Sequence, residues 1–200
     1  MYTEVFFDIE TQKLFSEVSA FNPSLLGVSI VSVYVRQINA DYQEQSGQMS
    51  SFWENELGQM WPLFANANRV IGFNSLGFDV PILAPLCPFN FKKLNHFDLM
   101  DKVKQVIGFR VSLNTLAKST LGLQKSDEGI NAVLYWQKHD PLSLQKLKQY
   151  CEDDVYLTRD LYDYGLHHHQ FKFIDKWNSP RVVNIDFSYP PADDSQIQLF

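Results

Sequence analysis

Residues 2–9, near the amino terminus, read YTEVFFDI and are followed by Glu10 and Thr11. The aromatic and β-branched residues of this short apolar run predict a buried β-strand. Alternate residues of a strand point to the same face, so Asp8 and Glu10 should project together. Two neighbouring carboxylates at the edge of a core repel each other unless a cation neutralises them. The pair is therefore a candidate site for a hard divalent ion, although a charged strand end on the surface would give the same pattern.

The chain beyond this run predicts further strands and then helices. Strands are expected at 26–38, 41–49 and 69–73. Between the last two, Ser51 and Glu54 form a capping box, which predicts a helix whose apolar side chains recur up to Phe64. Four later helices are expected at 78–86, 97–107, 112–121 and 140–165. This order predicts an α/β fold, in which three leading strands form an antiparallel meander and a later strand joins them by a helical crossover.

The composition is typical of a single globular domain. Of the 200 residues, 45% are hydrophobic and 20% are charged, a balance that excludes a disordered or fibrous chain. The sequence contains no apolar run long enough to cross a bilayer and no secretory signal at its start, so no membrane contact is expected. With only two cysteines, no disulfide framework is expected either. We therefore expect a cytoplasmic protein with one domain at 1–178 and a carboxyl-terminal tail at 179–200.

The charge is unevenly distributed along the chain. The net charge of −6 by itself argues against a nucleic-acid partner. Residues 1–91, however, hold three basic and nine acidic side chains, whereas residues 92–181 hold fourteen basic and eleven acidic ones. An acidic half beside a mildly basic half is compatible with a metal-loaded site next to a phosphate-binding surface. It is equally compatible with uneven surface charge that has no function.

A second acidic element lies at 72–81, which reads GFNSLGFDVP. Asp79 follows a predicted strand and turn and stands at the start of a predicted helix, where an aspartate is commonly an N-cap. Asn74 and Phe78 are less easily explained by capping. An amide and an aromatic ring at the mouth of a site can hold and stack a nucleobase, so both are candidate substrate contacts.

A third element lies at 150–155, which reads YCEDDV. On a helix, Tyr150 and Asp154 are four residues apart, so the phenol and the carboxylate share one face. They lie beside the apolar stripe of this helix and are expected at its solvent margin. A Tyr-x-x-x-Asp pair is common by chance, so this element alone predicts little.

Taken in order, FDIET at 7–11, N-x-x-x-F-D-x-P at 74–81 and Y-x-x-x-D-V at 150–155 resemble the DEDD exonuclease superfamily in its tyrosine-bearing branch. More narrowly, the chain resembles predicted 3′–5′ exonucleases related to the proofreading domain of family B DNA polymerases. The resemblance covers about residues 3–166 and includes FDL at 97–99, SLNTLA at 112–117 and GINAV at 129–133. It implies a ribonuclease H-like α/β fold, with a mixed sheet of a three-stranded antiparallel meander plus parallel strands, flanked by helices.

The resemblance implies five catalytic residues and a two-metal site. Asp8, Glu10, Asp79 and Asp154 would hold two Mg²⁺ or Mn²⁺ ions, which lie roughly 3.5–4 Å apart in such sites. Asp8 would bridge both ions, and Glu10 and Asp154 would complete the site of the nucleophilic water. Asp79 would serve the ion at the leaving oxygen, and Tyr150 would orient the water by a hydrogen bond.

The implied activity is metal-dependent hydrolysis of single-stranded nucleic acid from a free 3′ end, with release of 5′-mononucleotides. Thr11, Asn74 and Phe78 would contact the 3′-terminal nucleotide. The polymerase resemblance favours DNA over RNA, and it fits a role in DNA replication or repair with a polymerase or helicase partner. The sequence indicates no oligomeric state.

Two other functions remain open. A phosphatase with an aspartyl nucleophile is suggested by a strand that ends in D-x-E-T, although such enzymes are expected to carry D-x-D-x-T. A non-catalytic nucleic-acid-binding module, or one associated with a polymerase or helicase, would share the fold. The five filled catalytic positions count against this second alternative.

Overall fold

The computed structural model describes residues 1–189. Its centre is a mixed sheet of five strands: β1 (Tyr2–Thr11), β2 (Val28–Ile38), β3 (Glu44–Trp53), β4 (Arg69–Gly72) and β5 (His96–Asp98). Their spatial order is β3-β2-β1-β4-β5. The first three strands pair in an antiparallel meander, β4 pairs parallel to β1, and β5 pairs parallel to β4. The predicted α/β fold, a ribonuclease H-like mixed sheet, is thereby confirmed.

Within the described residues, six α-helices flank the sheet: α1 (Trp61–Ala65), α2 (Asp79–Leu83), α3 (Leu99–Ile107), α4 (Leu113–Leu121), α5 (Gly129–Lys138) and α6 (Pro141–His168). Helix α4 begins after Ser112, whose hydroxyl accepts a hydrogen bond from the backbone N–H of Thr115. It ends at Gly122, which has a φ of +74°, a conformation that glycine adopts without strain. Within residues 1–189, no helix combines the length and the hydrophobicity needed to span a bilayer.

The helix predicted from Ser51 to Phe64 is wrong over its first part. Residues up to Trp53 continue β3, where Ser51 pairs with Ser32 and Trp53 with Ile30. The hydrogen bonds to the neighbouring strand outweigh the local capping pattern, because pairing satisfies the backbone along the whole segment. The helical part consists of a short 3₁₀ helix at Leu57–Gln59 and of α1, which begins at Trp61.

Three further differences concern other elements, and one of them is helix α5 (Gly129–Lys138), where the sequence predicted no element. The helix predicted at 97–107 begins at Leu99, because His96–Asp98 forms the edge strand β5 beside β4. The sequence reading also placed no strands after α6, where the structure forms a hairpin of β6 (Gln170–Ile174) and β7 (Pro180–Asn184). Phe187, just beyond the hairpin, is buried and stacks on Phe97 with ring centroids 5.1 Å apart. The domain limit at residue 178 stays a prediction, and residues 190–200 of the predicted tail lie outside the described part of the chain.

The core lies on both faces of the sheet. Phe6 and Phe7 are neighbours on β1 and point in opposite directions, into two separate apolar clusters. The Phe6 cluster includes α6 residues such as Val155 and Leu161, and the Phe7 cluster includes Phe64 of α1. Since Asp8 and Glu10 share the face of Phe6, β1 directs both carboxylates toward α6.

Candidate active site

The carboxyl end of β1 and the middle of α6 bring three acidic side chains together. Asp8 and Glu10 come from the strand, and Asp154 comes from the helix that packs on it. Oxygens of the three carboxylates all lie within 4.8 Å of one another. Glu10 and Asp154 are buried and Asp8 is partly exposed, so the group forms the floor of a cleft. We call these three residues the acidic cluster.

The surroundings of the acidic cluster disfavour its negative charge. Burial raises the pKa of Asp8 well above its ordinary value, and the nearby charges of Asp154 and Asp79 raise it further. Burial and the charge of Asp154 likewise raise the pKa of Glu10. Carboxyl groups held this way bind a cation readily, because the cation removes the repulsion that protonation would otherwise relieve.

Lys125 partly neutralises the acidic cluster. Its Nζ lies 2.5 Å from Oδ2 of Asp154 and 5.0 Å from the centre of the Tyr150 ring. Burial lowers the pKa of Lys125, but the carboxylates of Asp154 and Asp8 outweigh burial and the pKa is raised. The loop that carries Lys125 is held by Asn114, whose side-chain oxygen accepts the Lys125 backbone N–H at 3.0 Å. The sequence reading missed Lys125, because a single lysine in a loop carries no motif.

The other oxygen of Asp154 gives a test of whether a metal ion fits. Oδ1 of Asp154 is buried and has no hydrogen-bond partner among the described residues. An orphaned carboxylate oxygen is costly inside a protein, whereas a hard divalent cation takes such an oxygen as a ligand. An all-oxygen donor set with an unused buried oxygen fits Mg²⁺ or Mn²⁺.

Asp79 lies in the same cleft but outside the acidic cluster. It is the first residue of α2 and only 4% exposed. Burial raises its pKa to about 7, with a further contribution from the charge of Asp98, while hydrogen bonds from backbone N–H groups oppose the rise. The structure thus brings three of the four predicted ligands within 4.8 Å of one another and places the fourth on the cleft wall.

Tyr150 lies on the same face of α6 as Asp154, but more deeply than expected. The sequence predicted the solvent margin of the helix, whereas both side chains are only 3% exposed. Helix α5 causes the difference, because it packs across α6 and its Gly129 faces the Tyr150 hydroxyl. Burial, followed by the charge of Asp154, raises the pKa of Tyr150 above its ordinary value. The hydroxyl therefore keeps its proton and can donate a hydrogen bond.

The three predicted substrate contacts line the same cleft. Thr11 is buried at the end of β1, and its hydroxyl donates to the backbone carbonyl of Lys13 at 3.0 Å. Asn74, at a φ of +60°, and Phe78 belong to the turn before α2. Together with the acidic residues they surround a cleft of about 280 Å³.

The turn that carries Asn74 depends on a residue that no prediction included. The carboxylate of Asp98, at the end of β5, accepts the backbone N–H groups of Asn74 and Leu76, each at 2.9 Å. It also accepts the N–H of Asp101 at 3.1 Å and so caps α3. The FDL segment at 97–99 therefore fixes the turn beside the cleft.

The fold and the site together define a nuclease-type α/β protein with an acidic cluster that can bind metal. A family model described as RNase_H superfamily matches residues 5–165. Because the match covers most of the chain, the protein belongs to the RNase H superfamily. No curated protein matches the chain.

Proposed function

We propose that the protein is a metal-dependent 3′–5′ exonuclease of the tyrosine-bearing DEDD branch. The observation that carries the proposal is the acidic cluster at the cleft floor, with the unpartnered Oδ1 of Asp154 inside it. Membership in the RNase H superfamily supports a nuclease. The neighbouring Tyr150 supports this branch, because a phenol beside the ligands supplies a hydrogen bond to the attacking water.

The residues of the candidate active site would have separate roles in hydrolysis. Asp8, Glu10 and Asp154 would hold divalent cations, with Asp79 at the wall as a more distant ligand. Bound Mg²⁺ or Mn²⁺ would supply the activation of water and the neutralisation of phosphate charge. Tyr150 would orient the water by hydrogen bonding. Addition of water across the phosphodiester bond then leaves a 5′-phosphate on the released nucleotide and a 3′-hydroxyl on the shortened strand.

The size and lining of the cleft support attack at a strand end. Its volume of about 280 Å³ lies near the lower limit for small-ligand sites, which suits one nucleotide. Thr11 and Asn74 offer polar contacts, and Phe78 offers a ring on which the terminal base can stack. We favour DNA over RNA as the substrate, and a polymerase or helicase as the partner, on the polymerase resemblance alone.

The test compares linear single-stranded DNA with the same strand closed into a circle. With Mg²⁺ or Mn²⁺, the linear strand should lose 5′-mononucleotides stepwise from its 3′ end, while the circle survives. Excess EDTA should stop the reaction, and added metal should restore it. Rapid cutting of the circle would instead indicate an endonuclease. Binding without cleavage under every metal condition would indicate a non-catalytic module.

A further inference from the structure

A second and larger cleft adjoins the candidate active site and is not lined by Phe78. It encloses about 530 Å³ and shares Asp8, Asn74 and Asp154 with the first cleft. Phe73 and Lys125 also line both clefts. The remaining lining comes from Met100 of α3, the segment that joins α3 to α4 and the start of α4, namely Arg110, Val111, Ser112, Leu113 and Asn114. The acidic cluster therefore lies between two spaces, each of which can hold part of a substrate.

The two clefts differ in their chemistry. The smaller cleft is bounded by Phe15 and Phe78, whose rings pack edge to face with centroids 6.1 Å apart. Phe21 stacks on Phe15 at 4.2 Å. The larger cleft has an apolar wall that includes Met100, Val111 and Leu113. Unlike the smaller cleft, it also carries the guanidinium of Arg110 and the polar side chains of Ser112 and Asn114. Aromatic rings favour bases, whereas a cation with polar neighbours favours a phosphate backbone.

Arg110 is placed to use its charge on a ligand. It is exposed, and no ion pair within residues 1–189 involves it. Its Nη2 lies over Gly77, where a Cβ would be 3.4 Å from that nitrogen and 3.0 Å from Oδ1 of Asn74. The missing side chain at Gly77 thus lets the guanidinium approach the turn of Asn74, next to the acidic cluster.

We propose that the larger cleft is the path by which a single strand reaches the active site, and that Arg110 binds a phosphate upstream of the scissile one. This inference rests on the proposed exonuclease activity, and it specifies the course of the substrate strand across the protein. The terminal nucleotide occupies the smaller cleft, and the rest of the strand leaves past Arg110. A backbone carries one charge per nucleotide, so the unpaired guanidinium gains a partner only when the strand extends beyond the scissile bond.

The test uses the length of the substrate. An unphosphorylated dinucleotide contains only the scissile phosphate, whereas a tetranucleotide contains two more upstream. Arg110→Gln should raise the KM of the tetranucleotide about fivefold, the effect of one exposed charged contact, with kcat within about twofold because the acidic cluster is untouched. The KM of the dinucleotide should not change, and Arg110→Lys should recover most of the loss.

Lys104→Gln is the matched control, because it removes one positive charge from the exposed face of α3, outside both clefts. It should leave both KM values unchanged. An equal rise in KM for both lengths in Arg110→Gln, or the same effect in Lys104→Gln, would overturn the strand path. Neither result would contradict the proposed exonuclease activity as long as the wild-type protein releases mononucleotides.

Binding without turnover separates the two proposals further. In EDTA, the fluorescence anisotropy of a 5′-labelled ten-nucleotide strand measures affinity as a function of salt. Arg110→Gln should weaken binding and reduce the slope of log K against log salt by about 0.7, the value for one phosphate contact on a single strand. An unchanged slope contradicts the strand path whether or not the wild type cleaves DNA. A wild type that binds in this way but never cleaves contradicts only the exonuclease activity.

Discussion

The two ends of β1 bury carboxylates beneath the same helix, α6, and the protein treats their charge in opposite ways. Glu4 at one end is fully buried and forms an ion pair with Arg36 at 2.7 Å. Asp8 and Glu10 at the other end lie on the same face of the strand, yet their oxygens lie within 4.8 Å of another carboxylate, that of Asp154. The same strand and helix therefore carry one compensated and one uncompensated group of charges.

The compensated group is closed by hydrogen bonds. Arg36 also binds both oxygens of Asp163, at 2.9 and 2.6 Å. The second oxygen of Glu4 accepts hydrogen bonds from the hydroxyls of Tyr162 and Tyr189. Every charge in this group has a partner of opposite sign or a donor, so the group needs no ligand.

The uncompensated group has one ammonium, that of Lys125, for the three carboxylates of the acidic cluster. The acidic cluster lowers the stability of the fold, because like charges repel in a buried site. The ion-paired Glu4 group carries no such cost. The comparison shows that buried charges do not by themselves indicate a functional site. A buried group of carboxylates with too few positive partners does indicate one, because it can bind a cation.

The largest effect is expected where the compensated group is broken. Arg36→Ala leaves Glu4 buried without its cation and should lower the free energy of unfolding by about 3–5 kcal/mol. Urea denaturation measures the loss. The control is Lys148→Ala, which removes a half-exposed pair with Glu152 at 3.8 Å and should cost at most about 1 kcal/mol. Similar losses of unfolding free energy in the two variants would show that the buried ion pairs of Arg36 stabilise the protein no more than a surface pair does.

The next effect separates the two tyrosines of α6. Tyr150→Phe removes the hydrogen bond proposed for the attacking water and should lower kcat about 10²-fold. Tyr162→Phe removes hydrogen bonds with Glu4 and Arg69, so it should lower stability by about 1–3 kcal/mol and leave kcat nearly unchanged. Single-turnover kinetics and urea denaturation measure the two effects. Asp154→Asn should lose more activity than Tyr150→Phe, and equal losses would contradict the assigned roles.

The pH dependence of stability in EDTA should reveal the raised pKa of Asp79, on the cleft wall beside the uncompensated group. The pKa of Asp79 is raised to about 7, so the folded protein keeps a proton that the unfolded chain releases near pH 4. The free energy of unfolding should therefore fall as the pH rises from about 4 to about 7. The Asp79 carboxyl accounts for a loss of at most about 1.4 kcal/mol per pH unit. Asp79→Asn should flatten the fall in that window. Parallel curves for the two proteins would contradict the raised pKa.

The smallest effect on stability is expected when the repulsion between the carboxylates of the acidic cluster is reduced. Asp8→Asn keeps the shape of the side chain and removes the central charge of the acidic cluster, so in EDTA it should stabilise the protein by roughly 1 kcal/mol. Glu4→Gln, the matched change at the other end of β1, should destabilise it. Mn²⁺ should raise the melting temperature of the wild type and move Asp8→Asn much less. A variant that melts below the wild type in EDTA, with an equal Mn²⁺ shift, would make Asp8 a structural residue.

Local patterns predicted four of the five strands of the central sheet and several helices. The run at 2–9 and the Val-rich run at 26–38 predicted β1 and β2, because their apolar and β-branched side chains fit a buried strand. Ser112, Gly122 and Asp140 predicted the start and end of α4 and the start of α6, since caps act within one turn of the chain. The capping pattern at Ser51 failed, because strand pairing is decided by a neighbour that is remote in sequence.

The sequence by itself determined which side chains bear the candidate chemistry and that Asp8 and Glu10 share a face, because period-two alternation is a property of the strand alone. Only the tertiary structure decided that Asp154 meets them, that α5 buries Tyr150, and that Asp79 stays on the wall. The same holds for the neighbours without motifs: Lys125 as partial counter-ion, with Asn114 holding its loop, and Asp98 beneath the turn of Asn74. The physical reason is that charge repulsion, burial and loop support depend on distances between segments far apart in the chain, and packing alone sets those distances.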